Sequence, residues 1–221
     1  MNITRLQQLL EAVAPAVGGG RCFISGGAVR DLALGLGAPK DVDLVLLAPT
    51  DEETRKAVEY LIFLGYRPQM SAGIDVGFDT GRGDPPHWDA AEYTGEGDGA
   101  FNQRWRGLVK FTHILTGVEL DLLCSYTDDV NTLVGSYDYN INQYVLHLGR
   151  MSVDFLGQSQ GVLVKLRPDG VCPNRQYRMY QKGIAAGWDV TGAVPDNQQG
   201  ASNEHVAAAL GSDLPSMPPC R

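Results

Sequence analysis

The chain has 221 residues, 43% hydrophobic and 20% charged, enough for one sizeable core with at most a small appended lobe. Its formal net charge is −8 and its pI about 4.9, which argues against a broadly basic surface built to grip a long nucleic acid, although a local basic groove remains compatible with it. No apolar run approaches the length of a membrane span, no signal peptide stands at the start, and the four cysteines (Cys22, Cys124, Cys172, Cys220) form no CxxC pair. The expectation is therefore a reduced, soluble, cytoplasmic protein without a zinc site and without a membrane partner.

In chain order, Ile3, Leu6, Leu9, Leu10 and Val13 recur at helical spacing, predicting an amphipathic helix over 3–16 ended by Pro15 and Gly18–Gly20. Residues 22–47 then read as a buried strand (Cys22–Ser25), a Gly26-Gly27 turn, and a short helix stopped by Gly35–Pro39. Leu32, Leu34 and Leu36 with Val29 are expected to face the interior. A second apolar strand opens on Asp41 and Asp43. Positions i and i+2 of a strand share a face, so these two carboxylates stand side by side at the edge of the core. Like charges on one face repel, and a divalent cation relieves them. A Gly-Gly turn leading into a helix offers unobstructed N–H groups to phosphate. Metal and phosphate together point to nucleotide chemistry.

Thr50, followed by Asp51, Glu52 and Glu53, has the signature of a helix N-cap, with the helix running to Gly65. Residues 71–106 are rich in Gly, Asp and Pro and read as a solvated insertion. The alternative is a lid or acceptor surface built from Trp88, Tyr93, Phe101 and Trp105 with Arg104, Arg106 and Lys110. Residues 108–124 predict a hairpin turning at Leu115–Gly117, with Glu119 and Asp121 on one face and Leu120, Leu122 and Cys124 on the other. His113 is read as a strand residue rather than a base. Ile141, Tyr144, Val145 and Leu148 predict a helix from about Asp138, with Asp138 as its cap. A second hairpin is expected over 151–166 around Gln158–Gly161, then a helix over Asn174–Gly187. On that helix Arg175, Arg178 and Lys182 share a face. Beyond Val194 the chain is polar, with a short helix predicted at Asn203–Leu210.

The stretch GGAVRDLALG…KDVDLVLL resembles the first motif of the nucleotidyltransferase superfamily (DNA polymerase beta-like), in the form carried by class II CCA-adding enzymes and bacterial poly(A) polymerases. Gly26, Gly27, Val29, Arg30, Asp31, Leu34, Gly35, Asp41 and Asp43 fall on it. Asp121 matches that family's third carboxylate. Asp138, Tyr139, Ile141 and Asn142 match its RRDFTINALAY motif, with Ser136 and Tyr137 in place of the two arginines that help hold the nucleotide. Arg175, Arg178 and Gly187-Trp188 match its LRxxRAxRFAxxLGF stretch. The resemblance covers roughly residues 20–190 and does not extend to the family's long C-terminal helical body.

The resemblance implies an α/β (α+β) fold, a small mixed sheet flanked by helices with a short helical C-terminal lobe. The expected organisation is a catalytic head at 1–150, a hairpin-plus-helix lobe at 151–190 and a polar tail at 191–221. It also implies a template-independent nucleotidyltransferase in which Asp41, Asp43 and Asp121 hold two Mg²⁺ ions about 4 Å apart. An NTP would lie against Gly26, Gly27, Arg30, Lys40, Asp138, Asn142, Arg175 and Arg178, with Asp31 orienting Arg30. The acceptor by resemblance is an RNA 3′ end such as that of tRNA, while the acidic charge better suits a small molecule or a protein hydroxyl. The competing expectation is a nucleotide-binding module without turnover, favoured by the loss of the paired arginines.

Overall fold

The computed structural model describes residues 2–74, 104–167, 171 and 173–195. The part of the 71–106 insertion from 75 to 103, Cys172 and the predicted 203–210 helix lie outside the described residues. Seven strands form one mixed sheet: β1 (Cys22–Ser25), β2 (Asp41–Leu46), β3 (Tyr66–Ala72), β4 (Trp105–His113), β5 (Glu119–Ser125), β6 (Tyr144–His147) and β7 (Asp154–Phe155). Their order is β3-β4-β5-β2-β1-β6-β7. Only the β2–β5 pair is parallel; every other pair is antiparallel. The helices are α1 (Ile3–Val17), α2 (Gly27–Ala33), α3 (Asp51–Phe63), α4 (Val130–Gly135) and α5 (Pro173–Ala185). None of the described helices is long and apolar enough to cross a membrane.

Strand alternation divides the core in two. Val42, Leu44 and Leu46 of β2 and Leu120, Leu122 and Cys124 of β5 enter the larger cluster, packed against α1, α2 and α3. On the opposite face Phe23, Val45, Leu108 and Leu123 meet Leu133, Val134 and Tyr137 in a smaller cluster. That second face is apolar only along part of its length. Toward the first residues of β2 and β5 the same alternation brings Asp41, Asp43, Glu119 and Asp121, and there the apolar cover gives way to carboxylates.

Several expectations are corrected. The first helix runs past Pro15 to Val17 because Ala16 and Val17 are buried, and it ends at Gly18, whose φ of 71° turns the chain. On α3, Ala57, Val58 and Leu61 are fully buried, while Ile62 and Leu64 are among the exposed hydrophobics. A strand not anticipated, β3, follows α3 and pairs with β4. The helix expected from Asp138 is instead a single 3-10 turn, Asn140–Asn142, followed by strand β6. The reason is the open edge of β1: Tyr144, Val145 and Leu146 are all buried there, on both faces, and β6 satisfies its backbone groups by pairing with β1. The expected 151–166 hairpin does not close on itself. Its first arm, β7, pairs with β6, and its second makes single bridges from Val162 to Asp189 and from Lys165 to Tyr139. The β6–β7 pair and the Lys165–Tyr139 bridge, with Leu163, Met179 and Trp188 in the larger core cluster, tie the 151–190 segment to the rest of the fold, and the Val162–Asp189 bridge is internal to it.

Candidate functional site

The site is built where β1, β2, β5 and β4 run side by side. Ser25 lies opposite Asp43 across the β1–β2 pair. Across the parallel β2–β5 pair Asp41 lies beside Glu119, and Asp43 beside Asp121. Lys110 lies opposite Asp121 across β4–β5. Partners directly opposite one another share a face, so four carboxylates form a two-by-two block flanked by a serine and a lysine.

The electrostatics of the block are adverse. Burial pushes the Asp43 carboxyl up to about 7, and the charges of Asp41 and Asp121 add to the rise, against the opposing pull of Arg175 and Lys110. Asp121 is raised in the same direction, first by burial and then by Asp41 and Glu119, while Lys110 opposes. The Lys110 Nζ donates to Asp121 Oδ2 at 3.0 Å. Among the described residues no three His, Cys, Asp or Glu side chains stand close enough together to hold an ion. The donor set itself, hard carboxylate oxygens on neighbouring strands, is the type that suits Mg²⁺. One of its members is engaged by Lys110.

Gly26 meets this block at very close range. Its φ of 73° and ψ of −140° are open to glycine alone, and a Cβ there would stand 2.4 Å from Asp43 Oδ2. At Gly27 a Cβ would lie 4.0 Å from Asp41 Oδ1. Gly26 therefore places bare backbone against Asp43, while Gly27 lies at ordinary contact distance from Asp41.

The remaining predicted residues divide into two groups. Arg30, Asp138, Asn142 and Arg175 are joined to each other. Arg30 Nε donates to Asp31 Oδ1 at 2.7 Å and its Nη1 to Asn142 Oδ1 at 2.6 Å. Asn142 Nδ2 donates to Asp138 Oδ1 at 3.0 Å. Arg175 donates to both oxygens of Asp138, at 2.7 and 3.3 Å. Burial acts to raise Asp138, but the Arg175 charge and the hydrogen bonds from Arg175, Asn142 and the Tyr139 N–H outweigh it and hold the carboxyl below its usual range. Arg30 is 6% exposed, so the residue expected at the triphosphate is an interior one. Asp31 orients it, as expected, and also accepts from Lys182 Nζ at 2.9 Å. Lys40 and Arg178, by contrast, are exposed.

Three features escaped the sequence reading. Tyr137, in place of a motif arginine, is buried, and its hydroxyl bonds to Ser25 Oγ at 2.6 Å. Burial, with Asp43 and Asp138 adding, drives its phenol upward, against the Ser25 bond and the Arg104 charge. Arg104 Nη1 donates to the Ser136 carbonyl at 3.0 Å, bringing a guanidinium from a distant segment to the stretch that lacks the motif's own. Lys110, named from the sequence only for the lid alternative, could have been placed, because the hairpin register about Leu115–Gly117 aligns it with Asp121. His113, the last residue of β4, accepts from the Thr116 N–H at 3.2 Å and packs edge-on to Tyr66.

No family model matches the chain, and no curated protein does. Among solved structures it is similar to one described as a tRNA-processing enzyme (apo form I), at 16% identity and a TM-score of 0.48 over 85% of this chain and 43% of that one. It is also similar to a CCA-adding enzyme, apo form I, at 19% identity and a TM-score of 0.47 over 80% of this chain and 37% of that one. The chain thus spans less than half the length of either. At these identities and TM-scores the likeness is one of outline alone.

Proposed function

We propose that the chain is a nucleotidyltransferase that moves an NMP group from an NTP to a hydroxyl acceptor with release of pyrophosphate. One observation supports this most: Asp41, Asp43 and Asp121 share one face of neighbouring strands against glycine backbone, at an electrostatic cost to the fold, although as they stand their side chains are not close enough together to hold an ion. Mg²⁺ bound by these three carboxylates would offset that repulsion and supply charge neutralisation at the phosphates. Binding would require the three side chains to draw closer together than they stand. The chain's own groups then do the positioning. Gly26 and Gly27 let the backbone approach the phosphates, and Arg175 and Lys110 present positive charge beside the acids. The acceptor oxygen bonds to the α-phosphorus as the bond to the pyrophosphate oxygen breaks, and the hydroxyl proton is lost. The acceptor we favour from the resemblance is an RNA 3′ end.

The second reading, nucleotide binding without turnover, has its own support. Tyr137 is locked to Ser25 in the core and offers no cation where the motif has an arginine.

Incubation with Mg²⁺ and each α-³²P-labelled NTP, with and without total tRNA, separates these readings. Label on RNA supports the RNA acceptor, and label on protein or pyrophosphate release alone moves the acceptor to a protein or small molecule. Nucleotide binding without any release from any NTP supports the binding module. No binding of any NTP overturns both.

A further inference from the structure

Among the described residues Arg30 makes no hydrogen bond or ion pair to the carboxylates of the block, yet it is buried and its Nε and Nη1 reach partners on three separate elements. From α2 its guanidinium reaches Asp31 on its own helix, Asn142 in the 3-10 turn before β6, and, at 4.0 Å, the Met179 sulfur on α5. Accepting from Arg30 through Oδ1 leaves Asn142 only its amide N–H groups to turn the other way, and one of them fixes Asp138. Asp138 then receives Arg175 on both of its oxygens, the planar fork that defines a guanidinium's orientation. Asp31 closes the circuit by taking Lys182, about two turns further along α5. The first and second halves of α5 are thus each tied to α2, one through Asn142 and Asp138, the other through Asp31. The positive charge of Arg175 is felt at Asp43.

We propose that Arg30 is a positioning residue: through Asn142 and Asp138 it sets where Arg175 stands relative to the acid block, and so sets nucleotide affinity without touching nucleotide. This rests on the nucleotide-binding reading above. A lysine in its place would keep the charge beside Asp31 but lacks the fork that reaches Asp31 and Asn142 together.

The test is a double-mutant cycle on the full chain with Arg30→Gln, Arg175→Gln and the pair, measured by ATP affinity in Mg²⁺ with the fold checked by near-UV circular dichroism. Arg30→Gln and Arg175→Gln are each expected to weaken affinity about tenfold, and the pair no further, because both remove the same interaction. Additive losses in the pair, or an Arg30→Gln protein that folds and binds ATP as wild type does, overturn the proposal. Arg30→Lys is expected to behave as Arg30→Gln, and full rescue by lysine overturns it as well. Hydrogen exchange without nucleotide supplies an independent arm. Arg30→Gln is expected to speed exchange over 174–185 and 140–142 while leaving α1 and α3 as they were, and unchanged exchange over 174–185 overturns the tie. If wild type binds no NTP, the functional reading fails by itself and the exchange arm alone decides whether Arg30 holds α5 in place.

Discussion

Two charged regions lie next to each other in this fold and are built on opposite terms. In the acid block on β2 and β5, four carboxylates share one sheet face and Lys110 alone donates to one of them in the bonds described. In the network joining α2, the 140–142 turn and α5, each carboxylate has a cation: Asp31 has Arg30 and Lys182, and Asp138 has Arg175. The first region pushes Asp43 up to about 7; the second holds Asp138 below its ordinary value. Buried charges that are paired and hydrogen-bonded can serve as architecture, whereas like charges left together cost stability unless a ligand offsets them. On the proposed function the acids are the site, and the network is its frame.

The sharpest break of this contrast is removal of an acid. Asp41→Ala or Asp43→Ala is expected to reduce label transfer about a thousandfold or more while the protein stays folded, measured by pyrophosphate release alongside a thermal melt. Transfer that survives either change removes the metal assignment. Next in size is Gly26→Ala. Its Cβ would fall 2.4 Å from Asp43 Oδ2 in a backbone conformation closed to alanine, so a loss of about 2–3 kcal/mol in urea unfolding is expected. Glycine's freedom is needed on the acid side of the molecule, where backbone and carboxylate nearly touch.

Asp43→Asn sharpens the contrast through pH. A carboxyl raised from 3.8 to about 7 binds its proton more tightly in the folded state than in the unfolded one. Its contribution to stability is therefore full below about pH 4 and is lost as pH rises toward 7. Asn removes that loss, so the variant is expected to exceed wild type by about 4 kcal/mol at pH 8 and to match it near pH 4, read by urea unfolding without divalent ions. A variant less stable than wild type at pH 8 would mean that Asp43 is not repelled in the fold.

The two regions also differed in how far they could be read from the sequence. Each half of the acid block was legible because its logic is local, while the placing of β5 beside β2 came from the family resemblance. Alternation along β2 puts Asp41 and Asp43 on one face, alternation along β5 does the same for Glu119 and Asp121, and the hairpin turn fixes the neighbour. The network was not legible, because its bonds join residues far apart in sequence. Arg30 and Asn142 are separated by 112 positions, and Asp31 and Lys182 by 151. A motif places Arg30 near the glycines but does not say that its guanidinium turns inward. β6 failed for a related reason. Ile141, Tyr144, Val145 and Leu148 fit a helical period as well as a short buried strand does, and the vacant edge of β1 decided between them. The α5 helix, longer and with its cations on one face, was readable within two residues of its ends.

On the paired side the pH dependence should run the other way, and with a smaller amplitude. Asp138 has its folded-state carboxyl held below the unfolded value by Arg175, Asn142 and the Tyr139 N–H. Such a group contributes stability that is present above the unfolded value and is lost as pH falls toward the folded one. Asp138→Asn keeps the shape but removes the charge that Arg175 faces, so it is expected to be less stable than wild type by about 1–2 kcal/mol at pH 6. That deficit should shrink once pH drops below about 4, where wild type begins to lose the same interaction. Urea unfolding of wild type, Asp43→Asn and Asp138→Asn over one pH series therefore gives two difference curves of opposite sign. The advantage of Asp43→Asn grows as pH rises, and the deficit of Asp138→Asn fades as pH falls. A pH-independent deficit for Asp138→Asn would mean that its bonds, and not its charge, hold the network. The contrast between an unpaired site and a paired frame would then rest on Asp43 alone.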